Sequence, residues 1–116
     1  MMIARRAGLS ALLISGLMSA PTASAGSRCK AWIDEVDSGD DTVLRAMVDG
    51  PRGADIDYDF SVSGGGQDFR DSSVALLQGQ PRQLNASRVP KRGRDVEATL
   101  RVDGCGEPVV ARFRNR

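Results

Sequence analysis

Reactive side chains are few in this chain, and nearly all of them are carboxylates. Histidine is absent, which removes the commonest general base, the Ser-His and Cys-His nucleophile pairs and most zinc sites. The most regular carboxylate row is Asp55, Asp57 and Asp59. On an extended segment these alternate positions stand on one face, roughly 6.5 to 7 Å apart. Their D-x-D-x-D spelling matches the start of a calcium loop, but such a loop needs glycine at position six and glutamate at position twelve. Those positions hold Phe60 and Gly66. The row therefore reads as the solvated outer face of a strand, and no metal is expected. Asp34, Glu35, Asp37, Asp40 and Asp41 read as an acidic turn. Gly64-Gly65-Gly66 is not followed by Lys-Ser/Thr and G-x-S-x-G is missing, so no phosphate cradle or nucleophile elbow is present. With no catalytic residue and no cofactor expected, the chain is read as a non-enzyme.

The basic residues point to docking. Arg88, Lys91, Arg92 and Arg94 form a basic loop, and Arg112, Arg114 and Arg116 a basic tail. No aromatic residues interleave with them, as a nucleic-acid surface would require. The row Asp55, Asp57, Asp59 and the loop residues Arg92 and Arg94 are the candidate client-binding groups, able to pair with charges on a partner. Between residues 26 and 71 there are 11 acids and 5 bases; between 72 and 116 there are 4 acids and 9 bases. These halves are expected to interleave in the fold and cancel locally.

The compartment follows from the first 25 residues. Arg5 and Arg6 give a positive start, residues 7–20 an apolar stretch, and Ala23-Ser24-Ala25 a small-residue cleavage site, which together read as a signal peptide cut after Ala25. The apolar stretch is shorter than the roughly 20 residues that a membrane-spanning helix needs. Export with no membrane anchor is expected, leaving 91 of the 116 residues, from Gly26 to Arg116, as one folded domain. All five aromatic residues remain in that part. So do both cysteines, Cys29 and Cys105, which in an oxidising compartment are expected to pair.

These groups must be positioned by strands. Residues 54–63 alternate without a break, Ile56, Tyr58, Phe60 and Val62 against the aspartate row, as a half-buried strand requires. Residues 95–103 repeat the design with Val96, Ala98, Leu100 and Val102. Further strands are expected at 29–36, 42–48, 81–89 and 109–113, with Leu84 and Ala86 in register in the third of these. Between 67 and 77 the reading is a short strand around Phe69 and a second apolar cluster, Val74 to Leu77. Residues 42–48 carry apolar groups on both faces, so cover on both sides is expected. About seven short strands with Gly, Pro and Asp turns every 8 to 12 residues mark an antiparallel β-sandwich of immunoglobulin-like type. Alternating strand direction brings the turn after residue 103 to the side where the first strand begins, which places Cys105 near Cys29.

The order of features resembles the small periplasmic curli-associated proteins of the CsgH type. The segments that carry it are Cys29-Lys30-Ala31-Trp32-Ile33, Tyr58-Asp59-Phe60-Ser61-Val62-Ser63 with the glycines after it, Gly66-Gln67-Asp68-Phe69, Leu77-Gln78-Gly79-Gln80 and Val96-Glu97-Ala98-Thr99-Leu100-Arg101-Val102. The resemblance implies an immunoglobulin-like sandwich in the periplasm, a chaperone of curli biogenesis that binds the amyloidogenic fibre subunit and holds it back from premature assembly. It implies neither nucleic-acid nor membrane partners, and a monomer is expected. The competing reading is a secreted immunoglobulin-like binding module, either a protease inhibitor or an adhesion domain.

Overall fold

Alternation of apolar and polar residues decides the architecture. The computed structural model describes residues 26–91 and 95–115. Seven strands follow one another: β1 (Lys30–Ser38), β2 (Asp41–Asp49), β3 (Asp55–Gly64), β4 (Gln67–Leu76), β5 (Arg82–Pro90), β6 (Val96–Asp103) and β7 (Val109–Asn115). All pairings are antiparallel. They build two sheets, β1-β2-β5 and β4-β3-β6-β7. Constant-type immunoglobulin domains keep the fourth strand with the first, second and fifth; here it pairs with β3. The expected leader, residues 1–25, and the candidate residues Arg92 and Arg94 lie outside the described residues. Among the described residues no helix is long and apolar enough to cross a membrane.

The core lies between the sheets, where Ile33, Leu44, Ile56, Phe60, Leu77 and Leu100 are almost fully buried. The β3 and β6 rows pair as read from the sequence, with Phe60 opposite Leu100 and Tyr58 opposite Val102. Phe69 of β4 closes on Phe60 edge to face, ring centres 6.2 Å apart, a favourable arrangement of the two ring quadrupoles.

Three expectations are corrected. First, residues 67–76 form one ten-residue strand rather than two pieces. The Gly65-Gly66 turn explains it: both glycines have positive φ, 62° and 84°, as two-residue hairpin loops demand. Gly64 then pairs with Gln67, and every later pair down to Asp55 with Leu76 is set. Second, Leu84 and Ala86 are not in register: Leu84 packs against the core, while Ala86 stands opposite Arg45. A bulge opposite Ala46 and Met47 leaves Leu84 unpaired and turns Asn85, Ser87 and Val89 toward the positions opposite Ala46, Leu44 and Thr42. Third, among the described residues no second layer covers the outer face of β2. Met47 is shielded instead by cross-strand Trp32 of β1, and Arg45 forms an ion pair with its neighbour Asp34 at 2.8 Å.

Candidate functional site

The disulfide is where the strand order places it. Cys29, just before β1, joins Cys105 in the turn after β6, with Cα atoms 5.7 Å apart. The sequence separation is 76, and both residues are buried in the core. Neighbouring backbone repeats the connection: Arg28 N donates to the Cys105 carbonyl at 2.9 Å, and Glu107 N to the Gly26 carbonyl at 3.1 Å. The packing is tight enough to require glycine at position 50. A Cβ there would collide with the Cys29 sulfur and lie 2.9 Å from Leu77 Cδ1.

The outer face of the four-stranded sheet gathers charge from both halves of the chain. Across β4, β3, β6 and β7, one row reads Ser72, Asp59, Arg101 and Val110, and the next Arg70, Ser61, Thr99 and Arg112. At the far end Asp68, Ser63, Glu97 and Arg114 align, and Arg114 Nε donates to Glu97 at 2.8 Å. At the near end Val74, Asp57 and Asp103 align, with Leu76 and Asp55 beside them. The acidic and basic halves interleave on this sheet.

The aspartate row divides in use. Asp59 accepts two hydrogen bonds from Arg70, from Nε at 3.1 Å and Nη2 at 2.7 Å, and a third from Ser72 Oγ at 3.1 Å. These bonds, Arg70 first, hold its carboxyl below the ordinary carboxylate range despite the counteracting effect of desolvation. Arg101, near enough to act on Asp59, is itself turned to Asp103 through Nε and Nη2 at 3.0 and 3.2 Å. Among the described residues, no cation pairs with Asp55 or Asp57, and both are exposed. The strand keeps the three carboxylates apart; among the described residues no group of three or more acidic or cysteine side chains could hold a metal. The row can attract a cation-bearing partner through Asp55 and Asp57 only.

A second feature was missed in the sequence. At the side where β4 and β5 end their respective sheets, the inner faces are polar. The Tyr58 hydroxyl lies 3.2 Å from both the Asp71 carboxylate and the Leu84 carbonyl, which compete for its proton. Asn85 Nδ2 also donates to Asp71, and Gln67 Nε2 donates to Ser87 Oγ at 3.3 Å. Desolvation, then the Asp71 hydrogen bond and charge, push the Tyr58 phenol above its ordinary value. The seam is thus stitched by side chains where a core would otherwise continue. Beside it, on the outer side of β4, Val74 and Leu76 are 66% and 50% exposed. The glycine turn was the signal for these exposures, because it puts Val74 opposite Asp57 and Leu76 opposite Asp55.

One surface depression is lined by Gly39, Asp40, Pro90 and Lys91, where Lys91 also pairs with Asp37. The geometry is that of a disulfide-closed antiparallel sandwich whose unpaired groups lie on sheet faces and edges. Among solved structures it is similar to the solution structure of CsgH from R. palustris, with a TM-score of 0.62 and 12% sequence identity over 73% of this chain and 90% of that chain. At that identity the likeness is one of fold. No family model matches the sequence, and no curated protein matches it.

Proposed function

We propose that this chain is a periplasmic, non-enzymatic chaperone-like protein of curli biogenesis, which binds the fibre subunit and restrains its assembly into amyloid. The observation that carries the reading is the likeness of fold to CsgH across 90% of that protein, added to the sequence segments that resemble the same group. A compact β domain can engage a strand-prone client by edge pairing or through charged sheet faces, with no nucleotide or cofactor. Of the candidate client-binding groups, Asp55 and Asp57 present free carboxylates to solvent, whereas Asp59 is engaged by Arg70. Arg92 and Arg94 enter the reading as basic loop positions.

The test is fibre growth of a purified curli major subunit followed by thioflavin fluorescence. Substoichiometric amounts of the protein are expected to lengthen the lag. No delay at an equimolar ratio overturns the reading, and inhibition of a protease panel or binding to glycans would favour the binding-module alternative.

A further inference from the structure

We infer that the free edge of β4, from Ser72 to Leu76, is a docking strand for an extended segment that carries lysine or arginine at every second residue. The inference rests on this edge alone, whatever the identity of the fibre client.

The edge is open in its main chain except at the Leu76 carbonyl, which Arg82 occupies. Leu77 N donates to the Ala54 carbonyl and the Leu77 carbonyl accepts from Gly53 N, both at 2.8 Å, so Leu77 directs its polar groups toward the β3 side. In an antiparallel ladder these directions alternate along the strand, and the β3–β4 register runs without a shift. Leu76, Val74 and Ser72 therefore point their N–H and C=O groups away from β3. Arg82 Nη1 donates to the Leu76 carbonyl at 3.0 Å and marks one end of the opening. Among the described residues, no strand lies beyond β4 in its sheet.

Edges left unpaired are normally guarded by charge. β1 carries Asp34, Glu35 and Asp37 on its edge, and β5 carries Arg82 and Arg88. The segment Ser72-Ser73-Val74-Ala75-Leu76 carries no charge. Two of the three large apolar side chains that the described residues leave exposed, Val74 and Leu76, stand on it side by side.

The neighbours specify the occupant. Directly behind Val74 and Leu76 stand Asp57 and Asp55. A strand added to β4 would lie two strand spacings, about 10 Å, from β3. A lysine or arginine can cross that gap by laying its aliphatic stem over Val74 or Leu76 and carrying its charged head to the carboxylate. Because Asp55 and Asp57 are two residues apart, the matching cations are also two apart. A second copy of this chain fits less well: the cation on its β4, Arg70, is held by Asp59 at 2.7 Å, and of the alternating Arg112 and Arg114 on its edge strand β7, Arg114 is held by Glu97 at 2.8 Å.

The test is fluorescence anisotropy of the purified protein with a short labelled peptide of alternating lysine and valine, and with its glutamate–valine counterpart. The basic peptide is expected to bind saturably, to shift the backbone amide signals of Ser72 to Leu76, and to weaken with salt. Val74→Lys, at an exposed position and so compatible with the fold, is expected to weaken binding by about tenfold or more through like-charge repulsion. The pair Asp55→Asn and Asp57→Asn is expected to weaken it by roughly fivefold. Equal binding of the two peptides, undiminished binding to Val74→Lys, or amide shifts confined to other strands would each overturn the inference. Since no curli subunit enters the measurement, its failure is separate from failure of the fibre assay.

Discussion

Opening the Cys29–Cys105 bridge is the perturbation with the largest expected effect on this molecule. The bridge spans a sequence separation of 76, and for a closed loop of that size the chain-entropy relation gives about 4.5 kcal/mol at 25 °C. The effect acts on the unfolded chain, whose two halves are free to separate once the sulfurs part. The folded form keeps its local ties, because Arg28 N still meets the Cys105 carbonyl, Glu107 N the Gly26 carbonyl, and Ser27 still bridges to Gly106. Reduced protein is therefore expected to reach the same sandwich with little margin, since a domain of this size has a total stability of about 5 to 10 kcal/mol. Each kcal/mol moves the midpoint of a small domain by about 4 to 8 °C, so reduction should lower the melting temperature by about 20 °C or more. The assay is a circular dichroism melt with and without a phosphine reductant, with mass spectrometry to confirm free thiols. A reduced sample that melts with the oxidised one would refute the reasoning. Replacing both cysteines with alanine should melt lower still, because it adds a buried cavity to the loss of the link.

Two further substitutions probe the packing that surrounds the site. Tyr58→Phe removes the proton shared by Asp71 and the Leu84 carbonyl, and is expected to cost about 1 kcal/mol in urea unfolding. Because burial and Asp71 raise the Tyr58 value in the folded state, its contribution is fully present below the ordinary phenol value and is lost as pH rises through the higher folded one. Wild type should then lose stability more steeply than Tyr58→Phe at alkaline pH, and parallel curves would count against the coupling. Gly50→Ala should cost about 1 to 3 kcal/mol by overpacking, since its methyl group meets the disulfide and Leu77; an unchanged denaturation midpoint would show that the turn can move aside.

How far the sequence could be read depended on what held each strand. β3 and β6 are flanked on both sides in their sheet, so one face is buried along their whole length and alternation reports it directly. β4 is an edge with Asp71, Ser73 and Gln67 on its inner row, opposite Phe60, Tyr58 and Gly64. Its pattern looked like two fragments because polarity no longer distinguished inside from outside. In β5 the bulge at Leu84 breaks the alternation: Leu84 still packs against the core, but Ala86 stands opposite Arg45 and Ser87 opposite Leu44. The bulge goes with a hydrogen bond from Asn85 to Asp71 on the other sheet, a tie that no local window contains. The aspartate row was placed on the correct face, but its division into an engaged Asp59 and free Asp55 and Asp57 needed the partner strand that brings Arg70. Cys29 and Cys105 were brought together by strand direction alone, without any knowledge of side-chain packing.

The bridge has a consequence for a molecule that meets a protease. Arg52 and Gly53 lie exposed in the turn between β2 and β3, which belong to opposite sheets. Cleavage after Arg52 would make two polypeptides, but the cut falls within the span from Cys29 to Cys105, so each piece carries one of the bonded sulfurs. The pieces would stay joined through sulfur and through the β2–β5 ladder, because β2 lies on the first piece and β5 on the second. A nicked copy therefore persists as a two-chain molecule with its surface intact, and it comes apart only when a cut and a reductant act together.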